Sequence, residues 1–179
     1  MGKSVFASLA AVLLLCAPGV SRAADAGPVY ATIGPFDVIG SGPHVLDAGI
    51  GLFDFLDNHE GLSLAGRIEL RIGKKLAYIG PTLGLLANNE GFRYGYAGIY
   101  ADFVYGKIVL TPLLAAGVNH RGNSIDLGGT FAFRESLEIA CRFNDRWRVG
   151  VSIAHISNAD IYEKNPGVED FLLTVAVGI

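Results

Sequence analysis

The feature that most constrains this chain is an alternation of period two, with charge on one parity and bulky apolar side chains on the other. Leu62, Leu64, Ile68, Leu70 and Ile72 share one parity, and Ser63, Arg67, Glu69 and Arg71 hold the other. Successive side chains of a strand point to opposite faces, so this is a two-faced strand; a helical repeat of 3.6 would mix the sets. Similar segments recur at lengths that suit tilted membrane-spanning strands. Eight are expected, at approximately 47–56, 61–72, 76–87, 92–105, 107–118, 129–143, 147–157 and 169–179. Residues 24–46, rich in Gly and Pro, carry no assignable conformation.

Short turns are expected at Gly73-Lys74-Lys75, Gly106-Lys107 and Asn144-Asp145, and longer or more polar links after the first, third, fifth and seventh strands. Outer-membrane barrels alternate in this way, with short periplasmic turns and longer external loops. The last link, 158–168, is then external and Ile179 periplasmic. The expected fold is all-β, an eight-stranded antiparallel transmembrane β-barrel. Charge is costly in hydrocarbon, and an eight-stranded lumen is filled by side chains. Arg67, Glu69, Arg71, Arg134, Glu138 and Arg142 are therefore expected to form an internal ion-pair network. A soluble barrel of lipocalin type would invert the faces, and alternation alone leaves that inversion open. Phe171, Leu173, Val175, Val177 and Ile179 favour the membrane form, because they alternate right up to the C-terminus. That ending resembles the assembly signal of outer-membrane proteins, with Ile179 where an aromatic residue usually stands.

The N-terminus reads as an export signal. Lys3 supplies the positive end, an apolar run extends from Val5 to Ala17, and Ser21-Arg22-Ala23 fits a cleavage site. The run is too short to span a bilayer. Residues 1–23 are expected to be removed, leaving 24–179 as one barrel domain. Loss of Lys3 and Arg22 takes the basic count from 14 to 12 against 17 acids, a formal net charge of −5, which argues against nucleic acid as the partner. Leu15 precedes Cys16 where a lipoprotein signal needs a small residue, so Cys16 is expected to leave with the signal. Cys141 then has no intramolecular disulfide partner and no CxxC motif.

Chemistry concentrates in the last hairpin. Val149, Val151, Ile153, His155 and Ser157 share a parity, which places His155 and Ser157 on the apolar, lipid-facing side. Glu169 shares the parity of Phe171, Leu173 and Val175, and it starts the neighbouring strand. A serine hydroxyl needs a base to become a nucleophile, and histidine needs a third group to fix its tautomer and orientation. Ionisable groups on a lipid face cost free energy with no structural return, so their convergence points to function. Glu135 is a rival acid: it interrupts Phe131, Phe133, Leu137 and Ile139, and a three-residue turn brings it opposite His155. It either orients the imidazole or is turned inward by a bulge, and the bulge is the favoured reading.

His155-Ile156-Ser157-Asn158-Ala159, followed by Asn165-Pro166-Gly167 and Glu169, resembles the C-terminal motif of the PagL family of lipid A deacylases. The resemblance implies an eight-stranded outer-membrane barrel that removes the 3-O-linked acyl chain of lipid A, a carboxylic ester hydrolase acting on lipopolysaccharide. It implies Ser157 as nucleophile, His155 as base, Glu169 as orienting acid and Asn165 as oxyanion-hole donor. The implied location is the outer membrane of a Gram-negative bacterium, with lipid A of the outer leaflet as partner; a homodimer is compatible with this surface.

Bland readings compete at several positions. Asn165-Pro166-Gly167 is also good turn chemistry. Asn158 has a parity that directs it away from His155. Gly61-Leu62-Ser63-Leu64-Ala65 and Gly150-Val151-Ser152-Ile153-Ala154 approximate a hydrolase elbow but lack its final Gly and its helix. Tyr94, Tyr96 and Tyr100 fit a lipid-facing aromatic girdle. His44, His59 and His120 lack metal-ligand spacing, and no cofactor or metal is implied. Two other functions remain open: a non-catalytic structural or adhesive barrel, and a lipid A acyltransferase.

Overall fold

A computed structural model describes residues 27–56, 61–144 and 146–179. The expected signal 1–23, Cys16 and His59 lie outside the described residues, as does the premise on which the pairing of Cys141 turned. The described residues form eleven strands: β1 Val29–Ile33, β2 Phe36–Ile39, β3 Val45–Phe53, β4 Ser63–Arg71, β5 Gly80–Asn88, β6 Arg93–Tyr100, β7 Phe103–Tyr105, β8 Ile108–His120, β9 Phe131–Arg142, β10 Trp147–Ser157 and β11 Val168–Gly178. Neighbours pair antiparallel in the order β3-β4-β5-β6-β8-β9-β10-β11, and β11 pairs back onto β3. The result is a closed eight-stranded barrel, and closure leaves none of these strands with a free edge.

All eight expected segments are barrel strands. The fourth, 92–105, is interrupted at Ala101-Asp102 to give β6 and β7, which keep one register against β8: Tyr100 faces Leu113 and Phe103 faces Leu110. Pro112 lies opposite the break and has no N–H to give the ladder, so the pairing lapses there. The fifth strand of the chain, β5, starts at Gly80, and the short turn expected at residues 73–75 is instead a link spanning 72–79, closed by a bridge between Leu76 and Ile79. Below this late start β7 would present an open edge. The β1–β2 hairpin, drawn from the unassigned leader, covers it by pairing Asp37 and Val38 with Val104 and Phe103.

The faces sort as the alternation requires and exclude the soluble inversion. Leu64, Ile68, Leu83, Leu85, Leu114, Leu137, Ile153 and Leu173 are exposed on the outer surface, while Arg67, Glu69, Arg71, Arg134, Glu138 and Arg142 are buried in the lumen. Arg71 pairs with Glu69 at 2.7 Å and Glu138 at 2.8 Å; Arg67 pairs with Asp47 and, at 3.4 Å, Glu138; Arg134 pairs with Asp170. Asp47 and Asp170, two acids beyond those expected in the lumen, complete the network. Arg142, also buried, hydrogen-bonds the Gly106 carbonyl at 3.5 Å. Such pairs are maintained by mutual neutralisation, since a single charge left alone in the lumen is strongly destabilising.

The tyrosines overturn one expectation. Tyr94, Tyr96 and Tyr100 are buried inside the barrel, not spread around its belt. Each phenol finds an acceptor there: Tyr94 donates to the Ala132 carbonyl, Tyr96 to Glu69 at 2.6 Å, and Tyr100 to the Ile72 carbonyl. Room for the Tyr96 ring comes from Gly84 directly across the strand pair, where a Cβ would stand 2.1 Å from the ring. Interior satisfaction of the hydroxyl thus outweighs a place at the interface.

Candidate active site

The links 89–92, 121–130 and 158–167 share one end of the barrel, the external one. His155 and Ser157 occupy the external end of β10, and Glu169 the start of β11. Antiparallel register sets His155 directly opposite Glu169, a cross-strand pair whose side chains are within contact range. His155 Nδ1 lies 2.8 Å from Glu169 Oε1, with the His155 side chain exposed and that of Glu169 mostly covered. An ionised carboxylate only accepts, so the proton of this bond sits on Nδ1 and Nε2 is left as the acceptor. Glu169 Oε2 is buried without a partner, which makes the imidazole the carboxylate's one side-chain partner among the described residues.

Ser157 is half-buried two residues beyond His155 on the same outer face. The two side chains are not hydrogen-bonded to each other; contacts of this kind commonly tighten only around substrate. A left-handed turn follows at once, with φ of 53° at Ala159 and 60° at Asp160, and the Ile161 N–H donates to the Asn158 carbonyl at 3.1 Å. Two successive non-glycine residues in this conformation are strained, as is common beside functional groups. Asn158 points inward as its parity requires and is fully buried, its amide donating to the Leu127 and Lys164 carbonyls. Asn165 closes the loop: its Oδ1 accepts from the Asn158 N–H at 3.0 Å and its Nδ2 donates to Asp160 at 3.0 Å. The side-chain amide is thereby held beside the residue that follows Ser157.

Gly167 has a role that turn chemistry did not reveal. Its φ is +70°, and a Cβ there would stand 2.6 Å from His155 Cε1 and 3.2 Å from Nε2. The imidazole therefore lies against bare backbone, with Glu169 holding its Nδ1 side. The sequence signal was present in Asn165-Pro166-Gly167, but nothing local told that the ring of another strand would land there.

Glu135 does stand opposite His155, on β9, and it is exposed on the outer face. The favoured inward turn is wrong: β9 and β10 keep unbroken register from Arg142–Arg148 to Phe133–Ser157, so no bulge intervenes. Among the described residues Glu135 makes no ion pair, and Glu169 holds the imidazole. Below these groups an open apolar groove of about 520 Å³ crosses β8, β9 and β10, walled by Pro112, Leu114, Leu137 and Ile153, with Glu135, His155 and Glu169 at its upper margin.

The family described as lipid A 3-O-deacylase, PagL, matches residues 54–177, which is more than half of the chain. The chain belongs to the PagL family. The match runs from the link before β4 to all but the last residue of β11, and so includes the whole candidate site. Among solved structures, the crystal structure of the outer membrane enzyme PagL is 17% identical over 75% of this chain and 99% of that one, with a TM-score of 0.57. Neisserial surface protein A is 13% identical over 82% and 98%, and a de novo designed transmembrane β-barrel 12% identical over 79% and 99%, each with a TM-score of 0.53. At these identities the likeness is one of fold. No curated protein matches by sequence. As a PagL-family barrel with an apolar outer surface, the chain is a protein of the Gram-negative outer membrane.

Proposed function

We propose that this PagL-family barrel hydrolyses the 3-O-linked acyl ester of lipid A at the outer surface of its last hairpin. The observation that carries this reading is the 2.8 Å contact between His155 Nδ1 and Glu169 on a lipid-facing surface beside Ser157. Ser157 Oγ attacks the ester carbonyl while His155 Nε2 takes its proton. His155 then returns the proton to the leaving glucosamine oxygen, and the acyl chain stays on Ser157 as an ester. Water, deprotonated by the same nitrogen, releases the fatty acid and restores the serine. Glu169 stabilises the imidazolium at both stages. Asn165 retains a second N–H on Nδ2 and supplies it to the carbonyl oxygen as negative charge develops there.

Two features support lipid A over a soluble ester. The groups stand on the outside of the barrel at its external end, the level at which lipid A headgroups meet their acyl chains. The groove below them is apolar, open to the membrane and bordered by His155 and Glu169, so an acyl chain lying in it comes up to the site without leaving hydrocarbon.

Incubation of the folded barrel with purified lipid A, followed by mass spectrometry, tests the reading. Loss of one acyl chain is expected, and Ser157→Ala should abolish it without unfolding the barrel. An unchanged mass would indicate a structural or adhesive barrel. A gain in mass with phospholipid present would indicate an acyltransferase.

A further inference from the structure

A second groove lies on a different face of the barrel. It crosses the outer surface of β3, β4, β5, β6 and β8, encloses about 720 Å³, and is larger than the groove at His155. Ile50, Ile68, Leu85 and Val118 form its walls and are among the most exposed apolar side chains of the chain. Its floor is low because Gly66 and Gly95 present no side chain outward. Neither glycine is needed for backbone reasons: a Cβ on Gly66 would come no nearer than 3.9 Å to any atom, and one on Gly95 would meet only Leu85, at 3.4 Å. At Gly51, Gly98 and Gly117, by contrast, a Cβ would fall 2.1–2.2 Å from backbone oxygen. The two floor glycines hold space open, whereas the others let strands approach.

The external end of this groove is basic. Arg93 and His120 face each other across β6 and β8, both exposed, and both line the groove where the strands meet the external links. Arg93 has no acidic partner among the described residues; Arg121, the next cation, is already paired with Asp126 at 3.2 Å. An unpaired guanidinium and an imidazole at the rim of an apolar depression match a ligand with phosphate at one end and hydrocarbon at the other.

We infer that this face is a binding site for phosphorylated lipid A, separate from the catalytic groove, with a phosphate between Arg93 and His120 and acyl chains over Gly66 and Gly95. Lipid A is the occupant that charge and depth favour, because the groove opens to the outer leaflet and its basic end lies at headgroup level. Arg93 gives a fixed fork of donors to the phosphate, and His120 adds a further N–H. The chains lie against the apolar side chains of Ile50, Ile68, Leu85 and Val118. The site rests on the outer-membrane placement, and only the second lipid expected at the catalytic groove rests on the proposed ester-hydrolase reading.

Native mass spectrometry of the full barrel carrying Ser157→Ala, in detergent micelles titrated with bis-phosphorylated lipid A, tests it. Two lipids should bind per barrel. Arg93→Gln with His120→Gln should remove one and weaken it by about tenfold or more. Gly66→Leu with Gly95→Leu should remove the same lipid by filling the floor, and lipid A stripped of phosphate should occupy only the other groove. Unchanged stoichiometry in the charge variant, with folding verified by heat-dependent gel mobility, would overturn the site. Equal occupancy by phosphatidylglycerol would overturn the choice of lipid A. Failure of the esterase reading would appear separately, as intact lipid A after incubation with the unsubstituted barrel.

Discussion

Gly167→Ala tests the seating of the imidazole more sharply than removal of any catalytic group. The added Cβ would stand 2.6 Å from His155 Cε1, where carbon atoms prefer about 3.5 to 4 Å, so the ring must move by about 1 Å. A non-glycine residue at φ +70° also carries roughly 1–2 kcal/mol of backbone strain. That strain is small beside the cohesion of a closed barrel, and folding should survive. The imidazole cannot shift without lengthening its 2.8 Å bond to Glu169 or changing its approach to Ser157. A misplacement of this size costs on the order of a hundredfold in rate. The assay is the initial rate of fatty-acid release from lipid A, with folding followed by heat-dependent gel mobility. Gly34→Ala is the control: Gly34 has φ +58° but nothing within 4 Å of its Cβ position, so it shares the strain without the collision. Near-parental activity in a folded Gly167→Ala barrel would refute the placement of the ring, as would an equal loss in Gly34→Ala.

The two carboxylates beside His155 should separate clearly. Glu169→Gln should lower kcat by two orders of magnitude or more, while Glu135→Gln should change it by less than about threefold; kinetics with the reverse ranking would reassign the acid. In the lumen, Asp170→Asn leaves Arg134 buried without its counter-charge and should cost about 3–5 kcal/mol in urea-dependent unfolding; an unchanged midpoint would mean that the pair is not formed. Towards the periplasmic end, Asp102 is ion-paired with Lys75 at 3.0 Å and Arg148 at 3.3 Å. Asp102→Asn takes the shared counter-charge from both cations and should lower the thermal midpoint of the barrel; an unchanged midpoint would mean that these pairs contribute nothing.

The sequence by itself determined the barrel, its two faces and the membership of the candidate site. Alternation of Leu64, Ile68 and Leu70 with Arg67, Glu69 and Arg71 leaves one arrangement in a membrane, because charge has nowhere to go but the lumen. The same parity placed His155, Ser157 and Glu169 outside and Asn158 inside. What it could not supply was anything that depends on the neighbouring strand. Tyr94, Tyr96 and Tyr100 were assigned outward because aromatic residues favour interfaces, yet Glu69 and two carbonyls draw their hydroxyls in. The inward turn favoured for Glu135 failed because β9 and β10 stay in register. The β1–β2 hairpin was invisible, since its only reason to form is an edge left by the late start of β5. The His155–Glu169 bond and the Gly167 seat belong to the same class: parity is fixed along one chain segment, whereas contact is fixed by how far one strand is shifted against the next. Tertiary structure alone decided that shift, and with it which acid and which glycine meet the imidazole.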